Sequence, residues 1–424
     1  VGRAKMAKKG TYYGPFFSNF VARIHGTSIR FGILVGTNAD GQRDAVFAAP
    51  TPPLPCEDAE AGTQPPPVKD VAALLRSKGD LHFTDWAVQH IAAVRKLLPG
   101  GLEPCGCFAV AGEAAAKDIA PLLVPVLAGI ADPLVLTIDP ASRKLSFWQL
   151  SAGVRPALRP ATMKEDKLRE ATLLWAAVPV DIVVPHPSPG APGEAQAEEV
   201  KRGLAEALRA CTVGVSAADG EPPRVVSFES EAPLSAAAGK GCSELRCSFL
   251  RAGALTVAAS NPEGRACLRQ RCLVVATAVV LHRATELRHA VGLLREALVA
   301  SGAHRLQLAL DEAAEEGAER TQGTLQLPFR VLCRPTDLDP GLPLWCGDYC
   351  MPDEAKGAAL ERVGQLLGVQ ESSLEVAPEH LDELARLGRD HRGTYATPVA
   401  APQPSAREGG GACRLAAAAA AAAA

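Results

Sequence analysis

Short apolar runs alternate with amphipathic helical segments along most of the chain, and this alternation restricts the fold more than any other feature. Residues 31–36 (FGILVG) and 103–111 have the length and apolar content of buried strands. Between them, apolar side chains recur at helical spacing over residues 85–98, and a Pro-Gly-Gly sequence ends that helix. Strands and helices that alternate in this way predict an α/β class, with helices and sheets in a three-layer arrangement.

The same patterns predict the remaining elements. Residues 31–36 pair as a hairpin with residues 44–49, because turn-forming residues separate the two runs. An aromatic opening is predicted to be helical and to face the core; it contains Tyr12, Tyr13, Phe16, Phe17 and Phe20. Further strands are predicted at residues 134–138, 145–150, 172–184, 243–258, 266–281 and 325–333. Further helices are predicted at residues 114–131, 198–210, 286–300, 304–316 and 353–367, with a break at Ser301 and Gly302.

The chain has 424 residues, enough for two or three domains. A linker rich in proline and glycine follows residue 185. We predict a first domain at residues 11–185, a second α/β domain at residues 195–370, and a disordered low-complexity tail at residues 391–424. No apolar run reaches the roughly 18 residues that a membrane-spanning helix needs.

Composition narrows the function classes. The formal net charge is −3, so no global basic field favours nucleic-acid binding. The chain contains 12 cysteines and no Cys-x-x-Cys pair. This usage favours buried free thiols in a reducing compartment over a disulfide framework. We expect no cofactor.

Zinc-dependent hydrolysis is the first chemistry to consider. In several small α/β isopeptidase folds, a strand like residues 105–111 leads into His-x-His and then Ser-x-x-Asp, whose side chains hold catalytic zinc. Here Gly112 and Glu113 follow that strand, and no histidine lies between His90 and His186. Asp118 is a lone carboxylate, which does not hold a catalytic metal. We therefore expect no metal site and no metal-dependent activity.

Thiol hydrolysis and nucleotide binding are weaker alternatives. The segment from Cys346 to Cys350 places two thiols and a carboxylate in a predicted turn rich in proline and glycine, where packed sulfurs are the more common arrangement. We interpret His282 and His289 as solvated residues. The Gly239-Lys240-Gly241 sequence lacks the other residues of a phosphate-binding loop, so we treat it as a chance match.

Three segments together resemble one family. The first is Gly32-Ile33-Leu34-Val35-Gly36 with the exit Ala49-Pro50-Thr51-Pro52-Pro53. The second runs from Asp85-Trp86-Ala87-Val88-Gln89-His90 through Leu97-Leu98-Pro99-Gly100-Gly101-Leu102 to Gly106-Cys107-Phe108. The third is Leu327-Pro328-Phe329-Arg330-Val331 followed by Cys346-Gly347-Asp348-Tyr349. In this order and spacing they resemble the odorant-response-abnormal family, type four, and the tryptophan-to-LPGGL segment is the specific part.

The resemblance implies a fold and a role. Members of that family help membrane receptors to leave the endoplasmic reticulum, and they partner the larger ubiquitin-fold-modifier-specific cysteine protease at that membrane. Their first domain is similar to MPN-type isopeptidase folds without the metal ligands. The partner protease carries an Asp-Pro-His box, which this chain lacks. The resemblance thus implies an MPN-like, inactive isopeptidase-like N-terminal domain followed by a second α/β domain.

The resulting expectation is a non-catalytic adaptor that binds and localises this protease as a heterodimer on the cytoplasmic face of the endoplasmic reticulum, or in the cytoplasm without an anchor. A stand-alone receptor-trafficking factor and an active metallo- or thiol isopeptidase are the alternatives. Residues 85–98 are the first choice for the contact face. The candidate partner-binding residues are Trp86, His90, Val94, Leu98, Trp345 and Tyr349.

Overall fold

The computed structural model describes most of residues 11–377. It leaves out residues 14–15, 26, 28, 40–41, 53–70, 77–82, 152–155, 166–170, 186–192, 218–223, 227–230, 239–243, 251–254, 261–266, 283–284, 317–326, 337–341, 343 and 352 within that range. The predicted tail at residues 391–424, most of the predicted linker and the Gly239–Gly241 sequence therefore lie outside the described residues.

Strands and helices alternate through the described part of the chain. The strands are β1 (Thr11–Tyr13), β2 (Phe31–Ala39), β3 (Gln42–Pro50), β4 (Glu103–Val110), β5 (Leu134–Ile138), β6 (Leu145–Ser151), β7 (Ala157–Pro160), β8 (Lys164–Glu165), β9 (Thr172–Pro185), β10 (Thr212–Ala217), β11 (Arg224–Val226), β12 (Glu244–Leu250), β13 (Leu255–Ala258), β14 (Cys267–Val280), β15 (Phe329–Pro335), β16 (Cys346–Cys350) and β17 (Leu374–Val376). The helices are α1 (Phe16–Ile24), α2 (Val71–Leu75), α3 (Phe83–Leu97), α4 (Glu113–Val126), α5 (Glu194–Arg209), α6 (Leu234–Ala238), α7 (Leu287–Glu316) and α8 (Lys356–Leu367).

The first sheet has eight strands in the order β7-β6-β5-β4-β2-β3-β1-β8, with helices on both faces. Phe108 of β4 packs edge-to-face on Phe20 of α1. The next residue, Ala109, points to the opposite face and pairs with Phe31 of β2. Phe31 contacts Phe83 of α3. Helices α1 and α3 therefore lie on opposite faces, as the predicted three-layer arrangement requires.

The second sheet is built around β9, which pairs with β14 along its whole length in antiparallel fashion. On its other side β9 pairs in parallel with β12 and then with β13. Leu173 and Val279 belong to the hydrophobic core of the first sheet, whereas Leu174 and Val280 belong to the core beneath α5 and α7. The ribbon of β9 and β14 thus separates two cores, and burial on both faces explains why its strands are almost continuously apolar.

The third sheet has the order β16-β15-β17 and returns the chain to the first core. Trp345, Val363, Leu367 and Leu374 are all buried in that core, although they lie near the end of the described chain. Strand β9, which falls in the predicted first domain, finds its strand partners in the second. The division at residue 185 stays a prediction, and sheet pairing would place it before β9.

The mixed α/β class is confirmed, and three local predictions need correction. Tyr12 and Tyr13 lie in β1, while only the phenylalanines of the aromatic opening lie in α1. Helix α7 runs without a break through Ser301 and Gly302. A Cβ at Gly302 would lie 2.8 Å from Leu204 Cδ2, so the small residue serves close packing between helices. Residues 346–350 form a strand and not a turn.

Candidate functional site

Helix α3 is fixed to the first hairpin and to α8 by two side chains of the second family-like segment. Trp86 Nε1–H donates a hydrogen bond to the carbonyl oxygen of Pro52 at 2.9 Å. His90 is 2% exposed, and its Nε2 lies 2.8 Å from the carbonyl oxygen of Leu366. Its Nδ1 lies 3.1 Å from the Thr51 hydroxyl. Burial lowers the pKa of His90, so the neutral ring donates to Leu366 and accepts from Thr51.

The LPGGL turn that ends α3 docks on strand β14. Gly100 N–H donates to the carbonyl oxygen of Thr277 at 2.8 Å, and Val279 N–H donates to the carbonyl oxygen of Gly100 at 2.8 Å. Gly101 has φ of +83°, and a Cβ there would lie 2.4 Å from the carbonyl oxygen of Val279. A Cβ at Gly100 would approach the backbone of Leu293 to 2.7 Å. The two glycines therefore allow this turn to pair with the side of β14 opposite β9.

The third segment reaches the same place from β15 and β16. Arg330 is 7% exposed and extends to the end of α3, where its guanidinium lies 3.5 Å from the carbonyl oxygen of Leu97. A positive charge at a helix C-terminus is favourable, because the last carbonyls are unpaired. The guanidinium also lies 5.9 Å from the ring centre of Tyr349, whose hydroxyl donates to Ser301 at 3.1 Å. The second and third family-like segments thus meet where the LPGGL turn contacts β14 and where Arg330, beside Tyr349, reaches the end of α3, and we call this place the joint. The first segment contacts the same helix nearer its start, through Thr51 and Pro52.

The six candidate partner-binding residues lie on α3, directly after it, or in and just before β16. His90, Val94, Leu98, Trp345 and Tyr349 are buried, and Trp86 is half-buried. Val94 and Leu98 contribute to the first core, and the Trp345 ring packs against the guanidinium of Arg334. Their role in partner binding stays a prediction. In this fold these side chains hold α3 and β16 in position.

The described cysteines are thiols that are poorly suited to nucleophilic chemistry. Eight of the nine are buried, and Cys267 is partly exposed. Burial raises the pKa of Cys346 and Cys107 far above the ordinary value for a thiol. It raises the pKa of Cys247 and Cys333 to about 12. These thiols are protonated near neutral pH, whereas the nucleophile in thiol hydrolysis is the thiolate.

Candidate metal ligands and histidines lie apart. In the described ranges, no group of three or more His, Cys, Asp or Glu side chains is close enough to hold a metal ion. Asp118 is exposed on α4. The side chain of His282 is 35% exposed, as its solvated interpretation requires in part, but its Nε2 also lies 2.9 Å from the buried carboxylate of Asp44, a contact that the sequence does not predict. His289 is exposed on α7, and His282 precedes that helix, so the two do not share a helical face.

The sequence patterns did not reveal a cleft beside the joint. It has a volume of about 650 Å³ and opens between the end of α3, one face of α7, β16 with the turn after it, and the middle of α8. His304, Leu308 and Glu312 line it from α7 at a spacing of four residues. That spacing lies within the helix predicted at residues 304–316, but the other walls come from α3, β16 and α8, which are distant in sequence and leave no local pattern.

The described chain contains no helix with the length and apolar character needed to cross a membrane. The protein has a mixed α/β fold in which the second and third family-like segments meet between two sheets and the first segment contacts α3. The family model described as ODR4-like, Odorant response abnormal 4-like, matches residues 32–377. The chain therefore belongs to the ODR4-like family.

Comparison with solved structures gives weak similarities. The crystal structure of UfSP from C. elegans is 11% identical with a TM-score of 0.43; the match covers 85% of this chain and 57% of that one. A solution structure of a protein from Salinibacter ruber is 15% identical with a TM-score of 0.22; that match covers 37% of this chain and 91% of the other. No curated protein matches the chain in sequence.

Proposed function

We propose that this protein is a non-catalytic adaptor in receptor trafficking, which binds the ubiquitin-fold-modifier-specific cysteine protease and holds it at the cytoplasmic face of the endoplasmic reticulum. The observation that carries the proposal is the family match over residues 32–377. The expected fold of the N-terminal half is MPN-like without metal ligands. The family match supports the role in receptor trafficking. The protease partner is a more specific proposal, which the co-purification below tests.

The chemistry of the described residues supports a non-catalytic role. Burial keeps the thiols of Cys107 and Cys346 protonated, because it raises the pKa of both. The carboxylate of Asp44 and the imidazole of His282 contact each other between the two sheets, and Thr37 supplies a further hydroxyl to Asp44 at 3.1 Å. These groups serve the packing of β3 against the end of β14. An adaptor needs a rigid surface, and such contacts provide one.

The outer side of α3 is the proposed contact face. Val88 is 42% exposed there, which is unusual for a large apolar side chain in this structure. Asp85, Gln89 and Ala92 are exposed beside it. The inner side of the same helix carries His90, whose two hydrogen bonds fix the rotation of α3. A stable heterodimer would extend well beyond α3, because such interfaces bury at least roughly 1,200 Å² in total.

Co-purification with the protease tests the proposal. The unaltered chain should form a complex with the protease and should not cleave the modifier alone. Val88→Glu should weaken the complex at least tenfold, a loss of about 1.4 kcal/mol or more, because it replaces the exposed apolar side chain of the proposed contact face with a charge. Val376→Glu is the matched control, since Val376 is 38% exposed in β17. It should bind within about twofold of the unaltered chain.

Two results would contradict the adaptor proposal. Modifier cleavage by the purified chain without the protease would show catalytic activity. A failure to recover any protease with the unaltered chain would favour a receptor-trafficking factor that acts alone, which the family match also supports.

Fractionation of cells would test the location, because the adaptor should sediment with endoplasmic reticulum membranes.

A further inference from the structure

The cleft beside the joint combines apolar walls with a carboxylate-rich rim. Leu308 and Met351 supply aliphatic surface. The rings of His304 and Tyr349 meet edge-to-face at 5.0 Å and form one wall. Burial lowers the pKa of His304 to about 4, so this ring carries no charge near neutral pH. The wall therefore offers aromatic surface without positive charge.

The rim is held by one arginine. Arg362 Nε–H donates to Asp348 Oδ2 at 2.6 Å, and the same guanidinium donates to the carbonyl oxygen of Tyr349 at 2.8 Å. It also forms a bidentate contact with Glu354. Hydrogen bonding to Arg362 lowers the pKa of Glu354, which stays ionised. Met351 N–H donates to Glu354 at 3.1 Å, so the turn after β16 is rigid before any partner arrives.

Charge at the cleft favours a cation. Four carboxylates line it, from Glu312, Asp348, Asp353 and Glu354, against the two basic groups of Lys96 and Arg362. Arg362 is engaged by Asp348 and Glu354 and offsets one of their two negative charges, so the lining stays negative mainly through this pair, Glu312 and Asp353. Asp353 is exposed at the mouth. A further positive charge lies behind the Tyr349 wall on Arg330, which is directed to the carbonyl end of α3.

We propose that this cleft receives an arginine or lysine side chain from a basic segment of the partner protein. Such a side chain has an aliphatic stem, which suits Leu308 and Met351, and a cationic head, which suits the carboxylates at the mouth. The proposal rests on the proposed function, since the partner is the protease. The last turn of α3 supplies Lys96 to the cleft, so the basic segment would bind next to the contact face on α3.

Charge reversal at the mouth tests this site. The affinity of the protease for the full chain is measured by biolayer interferometry with the unaltered chain and with Asp353→Lys. The variant should bind at least tenfold more weakly, because it adds repulsion where the cationic head would lie. Asp353→Asn should give a smaller loss in the same direction. Raising the salt concentration should weaken the unaltered complex more than the Asp353→Lys complex.

Glu361→Lys is the matched control. Glu361 is exposed on α8, outside the cleft, and its substitution changes the net charge by the same amount. It should bind within twofold of the unaltered chain, and thermal unfolding should show that both lysine variants fold. Equal binding by Asp353→Lys and the unaltered chain would overturn the proposal that the cleft receives a basic side chain. The proposed adaptor function would be unaffected by that result. Absence of any complex with the unaltered chain would overturn the proposed function and, with it, this occupant of the cleft.

Discussion

Asp44 and His282 are 238 residues apart in sequence, and His282 Nε2 lies 2.9 Å from Asp44 Oδ2. Asp44 is 1% exposed in β3 of the first sheet, and His282 follows β14 of the second. Thr37 donates a second hydrogen bond to the same carboxylate oxygen. The contact therefore ties the two sheets together through a buried carboxylate that depends on its partners.

Removal of the imidazole should destabilise the fold. His282→Ala leaves the buried carboxylate of Asp44 with less compensation, so the free energy of unfolding should fall by about 1–3 kcal/mol. Urea denaturation followed by circular dichroism measures this loss. The control is His289→Ala at an exposed position of α7, which should change the free energy by no more than about 0.5 kcal/mol. Equal stability of the two variants would show that the Asp44 contact contributes nothing.

Stability should decrease with acidity partly through His304. Burial lowers the pKa of this residue to about 4, whereas an imidazole in the unfolded chain titrates near 6.5. Between these values the unfolded state binds a proton that the folded state does not bind, so the free energy of unfolding falls as the pH decreases from about 6.5 to about 4.

His304→Asn removes this contribution. At about pH 7.5 the variant should be less stable than the unaltered chain, because the edge-to-face contact with Tyr349 is lost. The difference in the free energy of unfolding between the unaltered chain and His304→Asn should become smaller as the pH falls below about 6.5. Urea midpoints at several pH values measure it, with His289→Asn as the control. A gap that stays constant with pH would contradict the shifted pKa.

The LPGGL turn should tolerate no side chain at Gly101. Gly101→Ala forces a left-handed residue against the carbonyl oxygen of Val279, so it should cost about 2–4 kcal/mol of stability. Gly292→Ala in α7 is the contrasting variant, because no atom lies within 4 Å of the added Cβ. There alanine should stabilise the helix by about 0.5–1 kcal/mol. Thermal unfolding should show that Gly101→Ala lowers the melting temperature and that Gly292→Ala raises it.

Buried thiols should resist alkylation in the folded protein. Iodoacetamide labelling followed by peptide mapping should leave Cys107, Cys333 and Cys346 unmodified under native conditions and modify them in urea, since burial raises the pKa of each. Cys267 is partly exposed and should react first among the described cysteines. Rapid native labelling of Cys346 would argue for a reactive thiol and against the non-catalytic proposal.

Local pattern was sufficient for much of the fold. The apolar run at residues 31–36 lies in β2, because a continuous apolar run suits a strand buried on both faces. The helical spacing at residues 85–98 corresponds to α3, because it reveals the one face that this helix buries. Helix α7 was predicted in two pieces, because Ser301 and Gly302 resemble a break. Their small size instead reflects packing against α5 and β16, a tertiary contact that a local window does not contain.

The candidate site was less accessible to sequence reasoning. The segment around Gly100 was recognised as specific, but its pairing with β14 joins residues 178 positions apart and leaves no local pattern. The sequence predicts His90 as a partner contact, whereas in the fold both nitrogens of its ring form hydrogen bonds within the chain, with Thr51 and Leu366. The cleft brings together four elements that are distant in sequence, so only the folded chain reveals it.

The return of the chain to the first core has a consequence for synthesis on the ribosome. Trp345, Val363 and Leu374 complete a core that begins at Phe16. The eight-stranded sheet therefore cannot close its apolar surface while only the first half of the polypeptide has emerged. A nascent chain must keep that surface covered, by a chaperone or by provisional contacts, until nearly all of the described sequence has left the exit tunnel.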